Sequence, residues 1–83
     1  MQKLRKIGTA EAAFGQALKE FRTAAKVSQE KLGLESGYHS TYISMLERGL
    51  YSPSFRTILA LAKVLKMNPS LIVDRAYKIL GGS

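Results

Sequence analysis

Residues 28–54, SQEKLGLESGYHSTYISMLERGLYSPS, contain two short segments that each carry the start and stop signals of an α-helix. Ser28 is a good N-cap, and the polar residues after it favour a helix over residues 29–36 with Leu32 facing inward. Gly37 allows the chain to reverse, because the residue just past a helix often takes a positive φ. This stretch therefore predicts two short helices joined by a tight turn.

The second of these helices is predicted over residues 40–48, with His39 at its N-cap and Gly49 as its stop. Its apolar residues Ile43 and Leu46 are expected to face the core. Two short helices that cross steeply can project the second one into a DNA major groove, which is about 12 Å wide and admits an α-helix. The pattern therefore predicts a helix-turn-helix unit.

Three further helices are predicted around this unit, and no convincing strand-period run or internal repeat is present. The helix over residues 10–25 has one apolar face, made by Phe14, Leu18, Phe21 and Ala25. The helix over residues 55–65 has a buried stripe, made by Ile58, Leu61, Ala62 and Leu65. An Asn-Pro pair opens the last helix, over residues 69–80. The expected fold class is all-α, a compact bundle of five helices.

Length, charge and composition limit the classes of protein. The 83 residues suit a single domain over residues 10–80, preceded by a flexible basic arm over residues 1–9. The net charge of +7 favours a polyanionic partner, either nucleic acid or an acidic membrane surface. The apolar runs are shorter than the roughly 20 residues of a membrane span. We therefore expect a cytoplasmic protein with no membrane partner.

The sequence shows no sign of catalytic chemistry. It lacks cysteine, and no carboxylate pair, metal-ligand cluster, glycine-rich phosphate loop or nucleophile–base spacing is present. The single histidine, His39, has no second histidine or carboxylate near it in the motif. We therefore expect neither an enzyme nor a bound metal or cofactor.

The fragments SQEKL, SG, TYIS, LERG and SPS occur in an order and spacing that resemble the Cro/repressor-type helix-turn-helix family, named for phage repressors and Cro proteins. TYIS followed by ERG is also similar to the small controller proteins of restriction-modification systems. The resemblance covers residues 14–73. It implies a lambda-repressor-like fold and a transcriptional regulator, such as a repressor, that binds specific double-stranded DNA.

The resemblance, together with the positions of polar and basic residues around the unit, also assigns residues to DNA. Expected readers of base edges are His39, Ser40, Thr41, Ser44 and Met45. Expected phosphate contacts are Gln29, Tyr42, Arg48, Tyr51, Ser52 and Arg56. The base readers include no Arg, Asn or Gln, so they do not predict the operator sequence, and DNA shape or the arm could contribute more. The alternative for each residue is an ordinary position on a solvated surface, with no role in DNA binding.

Three features within the resemblance concern structure rather than DNA. Arg22 and Glu47 stand where the family tends to form an ion pair, which would brace the second helix of the unit against the first helix of the chain. Gly33 stands where the family usually has Ala, so its helix should be less stable. Lys26 stands where a Gly usually ends the first helix, so we expect that junction to be built differently.

The last helix carries apolar residues on more than one face, which exceeds what packing on one core requires. Two-fold dimers are the commonest soluble assemblies. We therefore predict that residues 69–80 form a homodimer interface, through Leu71, Val73, Tyr77 and Leu80. The dimer would present its two reading helices roughly 34 Å apart to a near-palindromic site. The alternative is an end helix with a few exposed apolar residues.

A protein-interaction module of the same fold, such as an antitoxin, is the alternative function. Its partner would be another protein, a toxin or RNA polymerase. The basic surplus, the hydroxyl-rich face of the second helix of the unit, and Gln29 favour DNA instead.

Overall fold

The computed structural model describes residues 9–82, and these residues form five α-helices and no β-strand. The helices are α1 (Ala10–Ala24), α2 (Gln29–Ser36), α3 (Ser40–Glu47), α4 (Phe55–Val64) and α5 (Pro69–Ile79). The all-α, five-helix class is confirmed. Residues 1–8 of the predicted arm lie outside the described residues. No helix in the described part of the chain has both the length and the apolar character to cross a membrane.

A side-chain cap begins each helix. The cap accepts a hydrogen bond from a backbone N–H group in the first turn, and the capping residues are Thr9, Ser28, His39, Ser54 and Asn68. Such a bond is worth about 1 kcal/mol, because it satisfies a donor that has no partner inside the helix. The five starting points are therefore determined locally.

The junctions after α1 and α4 are left-handed turns occupied by lysine. Lys26 has φ 60° and Lys66 has φ 57°. After α1, the N–H of Val27 donates to the carbonyl of Arg22 at 3.1 Å, which closes the turn as in a Schellman motif. The expectation that Lys26 would change this junction is wrong, because Lys26 takes the left-handed conformation in which Gly commonly ends a helix.

Every helix contributes side chains to the core. Its largest fully buried side chains are Leu18, Leu32, Ile43, Leu46, Leu61 and Ile72. Ala25, which we expected on the buried face of the first helix, is exposed. Ala25 is the C-cap of α1, directly before the left-handed turn at Lys26, so it lies at the exposed end of the helix.

Two glycines allow α3 to approach its neighbours closely. A Cβ on Gly15 of α1 would overlap the carbonyl oxygen of Leu46 and lie 2.7 Å from that of Glu47. A Cβ on Gly33 of α2 would lie 2.9 Å from the backbone nitrogen of Ser40. Helix α3 is therefore held at both ends by backbone contacts that leave little room for a side chain.

Helix α5 packs against α1 and is joined to it by a surface ion pair. Arg75 Nε donates to Glu20 Oε1 at 2.8 Å. The hydrogen bond from Arg75, with a second from Gln16, holds the pKa of Glu20 below its ordinary value of 4.5. Both partners of the ion pair are substantially exposed, so the pair contributes little to the stability of the fold.

Candidate nucleic-acid interface

The turn between α2 and α3 leaves His39, the residue directly before α3, exposed. Gly37 ends α2 with φ 87°, and the N–H of Tyr38 donates to the carbonyl of Gly33 at 2.8 Å. His39 is extended, with φ −98° and ψ 150°, and α3 begins at the next residue. The described geometry is thus two short helices joined by a three-residue turn.

A buried carboxylate anchors the far end of α3. Glu47 accepts from Arg22 Nε at 2.5 Å, from Arg22 Nη2 at 3.0 Å and from Gln29 Nε2 at 2.9 Å. The Glu47 side chain is 3% exposed and that of Arg22 is 11% exposed. Arg22 Nη1 also donates to the carbonyl of Val27 at 2.9 Å. Arg22 and Glu47 therefore form the ion pair that the family resemblance implied, and the pair joins α1 to α3.

Gln29 takes part in this network, which the sequence reasoning did not anticipate. Its side-chain amide is held by Glu47 at the first turn of α2. An amide nitrogen carries two hydrogens, so the second N–H and the amide oxygen remain available to an outside group. The bond to Glu47 thus gives the Gln29 side chain one preferred orientation.

A groove runs beside the start of α3 and gathers six of the residues predicted to contact DNA. Its lining residues are His39, Thr41, Tyr42, Met45, Tyr51 and Ser52. Three of these were expected to read bases and three to contact phosphates. Ser40 and Ser44 are not among the lining residues and are half-buried on α3.

The two arginines predicted to contact phosphates lie outside this groove. Arg48 is the C-terminal cap of α3, and Arg56 lies in the first turn of α4. Both side chains are exposed. The two arginines therefore follow the groove-lining helix along the chain, separated by the loop that contains Tyr51 and Ser52.

Three tyrosine rings pack in series, and two of them, Tyr42 and Tyr51, line the groove. The ring centroids of Tyr38 and Tyr42 are 5.1 Å apart, and those of Tyr42 and Tyr51 are 6.3 Å apart. The hydroxyl of Tyr38 is 2.8 Å from Oγ1 of Thr57, which is 3% exposed and lies 3.0 Å from Oγ of Ser54. These contacts connect the turn before α3 to the start of α4.

Sequence reasoning missed Tyr38 and Thr57. The four-residue spacing of Tyr38 and Tyr42 is a signal that could have indicated their contact. No local pattern points to the contact between Tyr38 and Thr57, because the two residues are 19 positions apart in the chain.

A family model described as helix-turn-helix matches residues 18–72. This chain belongs to the helix-turn-helix family. The match includes α2, the turn and α3, and it confirms the Cro/repressor-type relationship that the sequence fragments indicated. The chain is a member of a DNA-binding, transcription-regulating family.

Several relatives of this helix-turn-helix protein are named for regulation. Control protein C.BamHI of Bacillus amyloliquefaciens is 39% identical over 62 residues, which are 74% of this chain and 76% of that protein. The structure of the restriction-modification controller protein C.AhdI from Aeromonas hydrophila has a TM-score of 0.72 and 41% identity, and the match covers 74% of this chain and 92% of that one. The clp gene regulator ClgR from Corynebacterium glutamicum has a TM-score of 0.85 at 25% identity, with coverage of 88% and 95%.

The helix-turn-helix protein has a second notable surface, made of apolar side chains on α4 and α5. The predicted interface residues Leu71, Val73, Tyr77 and Leu80 are all exposed, at 44–55%. Phe55 and Leu59 of α4 are also exposed, and they share a groove with Leu71, Val73 and Tyr77. Leu80 lies in a smaller groove against α1, which Val73 and Tyr77 also line.

Sequence reasoning missed the contribution of α4 to this surface. Phe55 and Leu59 are four residues apart, on a stripe different from the buried one of the same helix. Apolar residues on more than one face predict an interface on α5, and the same signal on α4 could have indicated that α4 contributes to it.

Proposed function

We propose that this protein is a transcriptional regulator that binds one double-stranded DNA sequence as a homodimer, with α3 in the major groove. The observation that carries the proposal is the groove beside α3, where polar and flexible side chains of the helix meet those of the following loop. Side chains of this kind can contact base edges and thymine methyl groups. The similarity to two restriction-modification controllers favours a regulatory role.

The proposed contacts divide by their position on the fold. Base edges are read from α3 and its cap, by His39, Ser40, Thr41, Ser44 and Met45. Phosphates are bound at the edges of that surface, by Gln29, Tyr42, Arg48, Tyr51, Ser52 and Arg56. Phosphate contacts orient the protein on DNA, whereas base contacts carry the sequence information. The Glu47 network supports this arrangement, because it fixes α3 relative to α1 and α2.

The proposed dimer uses the apolar surface of α4 and α5. Its members are Phe55, Leu59, Leu71, Val73, Tyr77 and Leu80, and each exposes at least 42% of its area in the monomer. Large apolar side chains that cluster on a surface commonly mark an interface. Two copies joined there would form a two-fold dimer suited to an inverted repeat.

The test is selection of bound duplexes from a random DNA pool at near-physiological salt. We expect enrichment of one inverted repeat, with half-sites about one helical turn apart. Thr41→Ala with Met45→Ala should lose that preference, while Lys63→Ala, on the exposed end of α4, should keep it. Weak binding to every sequence, lost as salt rises, would overturn the proposal and favour the protein-interaction alternative.

A further inference from the structure

The inference concerns the chemical state of the only histidine, and it rests on the proposed DNA-binding function. His39 is the N-cap of α3, and its Nδ1 accepts a hydrogen bond from the backbone N–H of Thr41 at 3.1 Å. A ring nitrogen that accepts a hydrogen bond carries no hydrogen, so in the neutral imidazole the hydrogen is on Nε2. The cap therefore determines which tautomer His39 adopts.

The Nε2–H group is free to bind an outside partner. The His39 side chain is exposed, and it lines the groove with Thr41, Met45 and the loop residues Tyr51 and Ser52. Within residues 9–82, Nε2 makes no hydrogen bond to the protein. In the protonated ring Nε2 also carries a hydrogen. This atom is consequently a donor in either protonation state.

We propose that His39 Nε2 donates to N7 of a guanine and thereby specifies guanine at one position in each half-site. In the major groove guanine presents two acceptors, N7 and O6, side by side. Adenine places a donor beside its N7, and cytosine presents only a donor. Thymine presents one acceptor beside a methyl group. A lone N–H donor can reach N7 of either purine, but guanine places a second acceptor beside N7 and adenine places a donor there, so the contact favours guanine.

The test combines a variant of the protein with a variant of the DNA. His39→Ser retains a good N-cap but removes the imidazole and shortens the side chain. Replacement of one guanine by 7-deazaguanine removes N7 and preserves base pairing. With the selected operator, we expect 7-deazaguanine at the contacted position of a single half-site to weaken wild-type binding by about fivefold, the effect of one hydrogen bond. The same replacement should leave the affinity of His39→Ser unchanged.

The outcomes distinguish a base contact by His39 from a role in capping alone, and they distinguish failure of that contact from failure of the proposed function. If His39 only caps α3, His39→Ser binds as wild type does, and each 7-deazaguanine weakens both proteins equally; this result overturns the contact while leaving the proposed function intact. Coupling at 7-deazaadenine instead would overturn the assignment to guanine. If selection enriches no sequence at all, the proposed function and the contact fail together.

Discussion

Glu47 illustrates how single residues position the candidate DNA-binding surface. Its carboxylate lies at the end of α3, is almost fully buried, and is bound by side chains from α1 and α2. Burial of an unpaired charge is costly, so the network tolerates the loss of either Arg22 or Glu47 poorly. Lys26 differs from Glu47, because its side chain is exposed and its effect on the fold comes from the backbone. It holds a left-handed conformation that favours glycine.

Replacement of Glu47 by Gln should destabilise the fold strongly. Arg22 would then remain buried without its counter-charge, and loss of one partner of a buried pair costs about 3–5 kcal/mol. Urea denaturation would measure the change. Glu35→Gln is the matched control, because Glu35 pairs with Lys31 on the surface and should cost no more than about 0.5 kcal/mol. Similar losses in the two variants would contradict a buried role for Glu47.

Replacement of Lys26 by Gly should stabilise the protein. Glycine adopts a positive φ without the steric cost of a Cβ, but it also raises the entropy of the unfolded chain. The net effect expected on the free energy of unfolding is a gain of about 0.5–1 kcal/mol. The midpoint of thermal unfolding would report it. Lys19→Gly is the control, since Lys19 is an exposed residue within α1, where glycine should cost about 1 kcal/mol. A loss of stability in both variants would show that the turn at Lys26 is not strained.

Among the elements, α3 depends most on its neighbours. It has only eight residues, and a helix this short is marginal in isolation. Its position comes from close backbone contact with Gly15 of α1 and Gly33 of α2, together with the Glu47 network. Helix α5 is attached differently, through packing on α1 and the exposed pair of Glu20 and Arg75.

Gly15→Ala should therefore harm both the fold and its function. The new methyl group would overlap the carbonyl of Leu46, and overpacking of this kind costs about 1–3 kcal/mol despite the better helix propensity of alanine. We expect a lower urea midpoint and weaker operator binding. Lys19→Ala, on the exposed side of α1, should change neither quantity. Higher stability in Gly15→Ala would mean that α1 and α3 can separate freely.

The Glu20–Arg75 pair predicts a small dependence of stability on pH. Because its hydrogen bonds lower the pKa of Glu20 in the folded state, the stabilisation is present above the ordinary value and is lost as pH falls through the lowered one. Glu20→Gln should thus be less stable than wild type at pH 7 and equal to it in strong acid. The effect is small, because both side chains are exposed. Unfolding curves at several pH values test this, and a constant difference at every pH would contradict it.

At the scale of the whole molecule, the two candidate surfaces have different chemistry. The groove beside α3 combines hydroxyl, imidazole and thioether groups, whereas the α4–α5 surface is largely apolar. A monomer would leave Phe55 75% exposed. In the proposed dimer the second surface joins two copies, so the oligomeric state should control affinity for an inverted repeat.

Tyr77→Glu should dissociate the proposed dimer. A charge at the centre of an apolar interface would be buried without a partner, while the exposed position in the monomer tolerates it. Sedimentation equilibrium should find wild type as a dimer and the variant as a monomer with unchanged helical content. Leu34→Glu makes a similar apolar-to-acid change on α2, where Leu34 is 81% exposed, and should leave the dimer intact. A wild-type monomer, or a dimeric Tyr77→Glu variant, would contradict the proposed interface.

The sequence by itself determined the helices and the family. Caps such as Ser28 and Ser54 act within one turn, and apolar periodicity marks each buried face, so local information is sufficient for where each helix begins. Only the tertiary structure decided that Gln29 binds Glu47, that Tyr38 reaches Thr57, and that Phe55 joins the surface of α5. These contacts connect residues far apart in the chain, and no local spacing encodes them. The tautomer of His39 lies between the two cases, because the sequence indicated the cap but only the atomic geometry showed which ring nitrogen accepts.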